Sequence, residues 1–324
     1  MKLIIPMAGK GTRLRPHTIT TPKPLVELAG KPMLGHVLDR IKDLKIKEAV
    51  FIVDEEKPNL KKYLEKNYGF KVHFEVQKDR KGIAHALYQG KKYFNKEEVF
   101  ILFADTLIEA DFKKLHKTDG DGIIWTKEVE DPRKFGVVFL HDNYITKLIE
   151  KPEIPPTNKA IVGMYYLKDS SKLFSAIKNI LDKQIMSKNE YQITDALQIM
   201  IEKGAKLRAG EVKMWKDCGN AQSLLEANQY LLKGLNVKTT PKTSVIIKPV
   251  NIEPGAQIKN SVIGPNVSVG KDSYIEGSVI KESIIGKDSE IKNTVLKDSI
   301  VGSHTKVKGN GRNINIGDYS EAHY

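Results

Sequence analysis

The segment that begins near residue 244 restricts the possible fold more than any other part of the sequence. "SVIGPNVSVGKDSYI", "SVIKESIIGKDSEI" and "NTVLKDSIVGSHTKV" consist of short β-branched pairs separated by Gly, Asn, Asp and Ser. Ile285-Gly286 and Val301-Gly302 share the same neighbours and are 16 residues apart. Such repeats predict a parallel β-helix, whose coils stack aliphatic residues inward and turn at small polar ones.

This segment resembles the left-handed β-helix of hexapeptide-repeat proteins. A stretch of Asn, Lys, Thr and Pro at 236–243 precedes it and is typical of a linker. We therefore expect a catalytic or binding domain at 1–235, a linker at 236–243 and a small β-helix domain with a C-terminal tail at 244–324. The β-helix domain is expected to serve oligomerisation or regulation, and a homo-oligomer is expected.

Up to residue 235, short apolar runs alternate with amphipathic stretches, for which strand and helix are the respective predictions. This alternation predicts an α/β fold with a Rossmann-like mixed, mainly parallel sheet and helices on both faces. Ligands of such sheets bind beyond the carboxyl ends of the strands. The predicted strands are 3–6, 49–53, 72–76, 99–103, 122–126, 136–140, 145–149 and 160–167, and the predicted helices lie near 33–44, 83–94, 171–181, 191–203 and 221–233.

Composition narrows the class of protein. Of the 324 residues, 40% are hydrophobic and 29% charged, and no apolar run approaches the roughly 18 residues of a membrane helix. The only cysteine, Cys218, has no partner for an internal disulfide, which favours a reduced thiol and a cytoplasmic protein. The net charge of +13 comes from scattered lysines among 40 acidic residues, so we expect polyanionic small substrates and no nucleic acid or membrane.

A glycine-rich basic segment, "PMAGKGTRLRPHTITTPKPL", follows the first predicted strand. It lacks the Gly-Lys-Ser/Thr of a Walker A loop and the third glycine of a dinucleotide fingerprint, which disfavours a kinase or a dehydrogenase. Gly9 and Gly11 allow backbone N–H groups to approach phosphate oxygens, while Arg13 offers a planar donor fork and Lys23 a point charge. These residues predict a binding site for a nucleoside triphosphate.

"GKGTRLRP" followed by "PKPLVELAGKPML" resembles the signature of the sugar-1-phosphate nucleotidylyltransferases. The family's usual Gly-Gly-x-Gly is Ala8-Gly9-Lys10-Gly11 here. The resemblance implies catalytic roles for Arg13 and Lys23. "QKDRKGIAHA" resembles the family's base-reading segment, and the implied nucleotide-binding residues are Ala8, Gly9, Gly11, Thr12, Gln77 and Gly82.

The same resemblance implies a magnesium ion and a sugar-phosphate subsite. Asp105 in "VFILFADT" corresponds to one metal-binding aspartate, although Thr106 stands where the family usually has Asn, and Asp217 in "MWKDCGN" corresponds to the other. Magnesium binds few carboxylates together with phosphates and water, which fits two aspartates. "FGVV", "IEKP" and "IVGMYYL" resemble the sugar-phosphate side and imply that this subsite contains Gly136, Glu150, Lys151 and Gly163.

The implied reaction joins a nucleoside triphosphate and a hexose-1-phosphate into an NDP-sugar and pyrophosphate. Because the sugar phosphate is already an anion at pH 7, no general base is needed, which agrees with the dispersed positions of His17, His85 and His304. The Gln77 pattern favours dTTP or UTP, and glucose-1-phosphate is the favoured sugar substrate. A GDP-mannose-type pyrophosphorylase, an acyltransferase acting through the β-helix and a non-catalytic sugar-nucleotide sensor are the alternatives.

Overall fold

The computed structural model describes residues 1–55, 58–113, 115–235, 241–309 and 313–323. These residues form two compact units, one made of 1–9 and 38–215 and the other of 10–37 and 216–324. Residues 236–240 of the predicted linker lie outside the described residues. The predicted boundary at 236–243 divides the chain at one point, whereas the second compact unit contains residues 10–37 as well as 216–324. The boundary stays a prediction.

Strands and helices alternate through the first 235 residues, as the apolar periodicity predicts. The strands are β1 (Lys2–Pro6), β2 (Glu27–Leu28), β3 (Lys31–Pro32), β4 (Glu48–Val53), β5 (Lys71–Val76), β6 (Val99–Leu102), β7 (Thr106–Glu109), β8 (Gly122–Glu128), β9 (Gly136–His141), β10 (Tyr144–Glu150), β11 (Lys159–Leu167), β12 (Leu207–Glu211) and β13 (Met214–Asp217). The α-helices are α1 (Met33–Asp39), α2 (Pro58–Asn67), α3 (Ile83–Gln89), α4 (Ser170–Asp182), α5 (Ile193–Glu202) and α6 (Ala221–Leu232).

The first unit is built on a nine-stranded mixed sheet with the order β5-β4-β1-β6-β11-β8-β12-β10-β9. The neighbours β5-β4, β4-β1, β1-β6 and β8-β12 are parallel, and the other neighbours are antiparallel. The fully buried Ile4, Val50 and Ile101 of the parallel strands pack with Leu87 of α3 and Leu197 of α5 in one core. Burial of this apolar surface is the main source of stability. The predicted mixed α/β fold is confirmed, but the sheet is not mainly parallel, because four of its eight neighbouring strand pairs are antiparallel.

The second unit contains three narrow parallel sheets that agree with the predicted β-helix. Their strand orders are β14-β17-β20-β23, β15-β18-β21-β24-β26 and β16-β19-β22-β25-β27. The strands are β14 (Val245–Ile246), β15 (Val250–Ile252), β16 (Gln257–Lys259), β17 (Val262–Ile263), β18 (Val267–Val269), β19 (Tyr274–Glu276), β20 (Val279–Lys281), β21 (Ile284–Ile285), β22 (Glu290–Lys292), β23 (Val295–Lys297), β24 (Ile300–Val301), β25 (Lys306–Lys308), β26 (Asn315–Ile316) and β27 (Glu321–His323).

Aliphatic residues at equivalent positions of successive coils stack into a column inside the β-helix. Ile258, Ile275, Ile291 and Val307 are in direct register and are buried. Small hydroxyl residues form similar buried columns: the backbone N–H of one coil donates to the hydroxyl of the coil before it, as from Ser289 to Ser273 Oγ at 3.2 Å. These hydrogen bonds satisfy polar groups that burial would otherwise penalise.

No helix in the described ranges is both long enough and apolar enough to span a bilayer.

Candidate active site

The first half of the glycine-rich segment extends the central strand β1. The Met7 N–H donates to the Ile52 carbonyl at 2.8 Å, and Arg80 Nε donates to the Ala8 carbonyl at 2.7 Å. Arg80 also donates from Nη2 to Asp54 at 3.2 Å. Arg80 therefore holds the backbone just before Gly9. Arg80 is not among the predicted site residues, although it lies within the "QKDRKG" stretch that the resemblance covers.

The second half of the segment folds back on itself within the second unit. Gly11 has a φ of +61° and precedes a single 3₁₀ turn at Thr12–Leu14. Thr18 Oγ1 donates to the Gly11 carbonyl at 2.7 Å, and a Cβ atom at Gly11 would lie 3.2 Å from Cβ of Lys23. Glycine adopts this left-handed conformation without steric cost and leaves room for Lys23 beside the backbone at Gly11.

Arg13 and Asp217 converge on Gly219. A Cβ atom at Gly219 would lie 2.8 Å from Oδ2 of Asp217 and 3.1 Å from Nη2 of Arg13. Asp217 is the last residue of β13, and the chain then turns at Gly219 so that α6 begins after Asn220. A capping box fixes this turn, because Ser223 N donates to Asn220 Oδ1 at 3.0 Å and Asn220 N donates to Ser223 Oγ at 3.1 Å.

The predicted base-reading residues Gln77 and Gly82 are adjacent. The buried amide of Gln77 donates from Nε2 to the Gly82 carbonyl at 3.2 Å and lies 2.9 Å from Nδ1 of His85. Burial, followed by the charge of Lys81, lowers the pKa of His85, so the ring is neutral at pH 7. Gly82 has a φ of +106°, and a Cβ atom there would lie 2.5 Å from the Tyr191 carbonyl oxygen. Glycine is thus required at this position for packing at the start of α3.

Three of the predicted sugar-phosphate residues meet where β9 pairs with β10. Glu150 is in register with Gly136, and a Cβ atom at Gly136 would lie 3.0 Å from Glu150 Oε2. Thr194 Oγ1 donates to the same oxygen at 3.0 Å, and Lys151 Nζ lies 3.4 Å from Glu150 Oε1. Burial raises the pKa of Glu150, against the opposing effects of Lys151 and Thr194. Thr194 is thus a candidate site residue that the sequence motifs did not indicate.

Gly163 lies on β11, in the interval where the register of β11 against β8 shifts. Its φ is +80°, and its carbonyl accepts a hydrogen bond from the Phe103 N–H at 3.0 Å. The aromatic ring of Phe103 covers the position that a Cβ atom would take. The strand therefore needs glycine here irrespective of any sugar contact.

Asp105 lies in the turn between β6 and β7, where Thr106 Oγ1 donates to its Oδ1 at 3.3 Å. Within the ranges that the structure covers, no group of three or more His, Cys, Asp or Glu side chains could hold a metal ion. Carboxylate oxygens such as those of Asp105 and Asp217 nevertheless have the hard donor chemistry that Mg²⁺ prefers, with phosphates and water completing its shell. Each of these carboxylates taken by itself is of the donor type that fits magnesium.

The predicted site residues thus divide between the two units. In the first unit, Ala8 and Gly9 follow β1, and Gln77 contacts Gly82. Gly136 contacts Glu150, which lies beside Lys151. Asp105 follows β6, and Gly163 belongs to the neighbouring strand β11. In the second unit, Gly11 and Thr12 open the loop that carries Arg13 and Lys23, and Arg13 and Asp217 both approach Gly219.

A family profile described as "Nucleotidyl transferase" matches residues 2–234. The chain belongs to the nucleotidyl transferase family. A second profile, described as "GlmU-like, C-terminal hexapeptide", matches residues 232–310 of this nucleotidyl transferase. The resemblance to nucleotidylyltransferases and the hexapeptide-repeat character of the C-terminal segment are both confirmed.

Relatives of this nucleotidyl transferase include the low-salt glycan biosynthesis nucleotidyltransferase Agl11 of Haloferax volcanii, which is 30% identical over 88% of this chain and 87% of its own. The bifunctional protein GlmU of Methanocaldococcus jannaschii is 36% identical over 79% of this chain, which spans only 61% of that relative. A UDP-glucose pyrophosphorylase solved with UDP-glucose is similar at 25% identity and a TM-score of 0.62, over 72% of this chain and 99% of the other.

Proposed function

We propose that this nucleotidyl transferase joins a nucleoside triphosphate, with dTTP or UTP favoured, to a hexose-1-phosphate, with glucose-1-phosphate favoured, and releases pyrophosphate. The observation that carries the proposal is the convergence of the Arg13 guanidinium and the Asp217 carboxylate on Gly219. A guanidinium offers paired N–H donors and a positive charge to phosphate oxygens, and a carboxylate can bind the metal ion that accompanies them. The two groups at one backbone turn form the kind of site that holds a triphosphate. The relatives named above support the same class of reaction.

In this reaction an oxygen of the sugar phosphate attacks the α-phosphorus, and the bond to the departing pyrophosphate breaks. Catalysis by positioning and charge stabilisation suffices, because the nucleophile is already ionised. Arg13 is proposed to stabilise charge on the leaving pyrophosphate, and Lys23 is proposed to bind the α-phosphate region. Mg²⁺, held by Asp105 and Asp217, would supply further charge neutralisation on the phosphate oxygens.

The substrate subsites are assigned residue by residue. Gln77 is proposed to read a pyrimidine through its amide, with Gly82 beside it and backbone groups of Ala8, Gly9, Gly11 and Thr12 facing phosphates. Glu150 is proposed to accept hydrogen bonds from sugar hydroxyls and Lys151 to bind the sugar phosphate, with Gly136 and Gly163 allowing close approach. A GDP-mannose-type specificity remains the alternative for base and sugar.

The test is pyrophosphate release from a panel of nucleoside triphosphates and hexose-1-phosphates. Arg13→Ala should lower turnover roughly 10²- to 10³-fold, the usual effect of losing one preorganised charge contact. Arg208→Ala is the matched control, since Arg208 lies near the start of β12 and pairs with the exposed Asp119 at 2.6 Å. Equal rates for both variants would refute the role of Arg13, and no release with any substrate pair would refute the proposed reaction.

A further inference from the structure

One side of the glycine-rich loop lies on the last coil of the β-helix, within the second unit. His17 Nε2 is 2.6 Å from Oδ1 of Asn315, and Thr21 Oγ1 donates to Oδ2 of Asp318 at 3.1 Å. Thr20 Oγ1 donates to the same carboxylate oxygen. A Cβ atom at Gly317 would lie 2.9 Å from Cβ of Pro16, so the backbones are in close contact. The contacting residues are about 300 positions apart in the sequence.

The carboxylate that makes this contact departs from the repeat. The residues after Gly270 and Gly286 are lysines and the residue after Gly302 is Ser303, but Asp318 follows Gly317 in the last coil. Its Oδ1 accepts a hydrogen bond from the Ser303 backbone N–H at 2.6 Å. Asp318 therefore links the preceding coil, through one oxygen, to the loop, through the other.

The burial of His17 favours a rigid contact between the loop and the last coil over a transient one. The side chain is only 5% exposed, and burial lowers the pKa of its imidazole below the usual value, against the opposing influence of Asn315 and Asp318. The ring is therefore neutral at pH 7. A neutral ring that donates from Nε2 to Asn315 needs no counter-charge in a buried position.

The same loop also carries the cationic residues. Thr18 bonds back to Gly11, and Gly11 packs against Lys23, so the 11–23 stretch is one closed loop with Arg13 at its start. We propose that Asn315 and Asp318 are positioning residues, which hold this loop in the conformation that presents Arg13 and Lys23 to the triphosphate. This inference rests on the proposed function. It assigns the last coil of the β-helix a part in catalysis beyond assembly or regulation.

The kinetic test compares Asp318→Ala with Lys271→Ala, a change at the same repeat position in an earlier coil, where Lys271 is exposed. Asp318→Ala removes the two hydrogen bonds to the loop and the one from the Ser303 backbone N–H, and this loss should lower kcat/KM for the triphosphate about 10-fold. The Lys271→Ala value should stay within about twofold of wild type. In a double-mutant cycle, Asp318→Ala combined with Thr20→Val and Thr21→Val should lose no more than Asp318→Ala alone. Additive losses would overturn the inference.

Amide hydrogen exchange of the substrate-free protein gives a readout that does not depend on activity. Exchange across residues 11–23 should accelerate in Asp318→Ala and stay unchanged in Lys271→Ala. Unchanged loop exchange in a folded Asp318→Ala variant would overturn the positioning role even if turnover falls. If Asp318→Ala does not fold, the Thr20→Val, Thr21→Val variant applies the same test from the loop side. A wild-type protein without nucleotidyl transfer would refute the proposed function and leave the exchange test intact.

Discussion

A Cβ atom at Gly163 would lie 2.5 Å from Cδ2 of Phe103, closer than real Cβ contacts permit. Gly163 also has a φ of +80°, a conformation that L side chains rarely adopt. Steric exclusion and backbone conformation therefore both require glycine at this point of β11, next to the proposed sugar subsite.

Gly163→Ala should destabilise the protein by about 1–3 kcal/mol, because strain and a displaced aromatic ring add together. The measurement is the free energy of unfolding in denaturant. Gly69→Ala is the control, since no atom lies within 4 Å of a Cβ there. Equal stability of the two variants would contradict the required glycine.

Asp105→Asn should preserve the fold and lower turnover roughly 10²- to 10³-fold. Asparagine keeps an oxygen that can accept the hydrogen bond from Thr106, but it lacks the charge that a magnesium ion needs. Pyrophosphate release measured across Mg²⁺ concentrations checks this expectation. Asp111→Asn, an exposed aspartate that accepts a bond from the Lys113 N–H, is the control. A wild-type magnesium dependence in Asp105→Asn would exclude this aspartate as a ligand.

Glu150 should make stability fall as pH rises. Burial, opposed by Lys151 and Thr194 and reinforced by Asp195, raises its pKa above the ordinary value of 4.5. Between those two pKa values the folded protein binds more protons than the unfolded chain, so folding loses free energy as pH increases through that window. Glu150→Gln removes this ionisation and can still accept the hydrogen bond from Thr194.

The stability of Glu150→Gln relative to wild type should therefore increase from about pH 4.5 upward, as measured by unfolding at a series of pH values. Glu153→Gln is the control, because the Glu153 side chain is 88% exposed. A pH-independent difference between Glu150→Gln and wild type would show that the carboxylate ionises without a penalty.

Asn228 should contribute to stability through the two buried hydrogen bonds that its side-chain oxygen accepts. Its buried Oδ1 accepts hydrogen bonds from Ala29 N at 3.0 Å and from Ser268 Oγ at 2.6 Å. Asn228→Ala would leave both donors buried without this acceptor, at a cost of about 2–4 kcal/mol. Thermal unfolding checks this, with the exposed Asn67→Ala as control. Equal shifts in Tm would mean that other groups or water satisfy the two donors.

Most of the fold could be predicted because its signals are local. The buried strands β1, β4 and β6 are continuous apolar runs, and the repeats of the β-helix recur at coil length. The helix α2 was missed because only Leu60 and Leu64 form its buried face, which is too narrow a stripe to stand out. The strands β12 and β13 were also missed, since Leu207–Glu211 and Met214–Asp217 are short and carry charged residues.

Signature spacing and periodicity are properties of the linear chain, so they sufficed to predict the family, the two kinds of repeating structure and the residue types of the candidate site. Which side chains come together depends on the tertiary structure. Arg13 and Asp217 both approach Gly219, Thr194 donates to Glu150, and Thr21 donates to Asp318. These contacts join residues separated by tens to hundreds of positions. Their geometry depends on how the backbone closes between them, which no local pattern encodes.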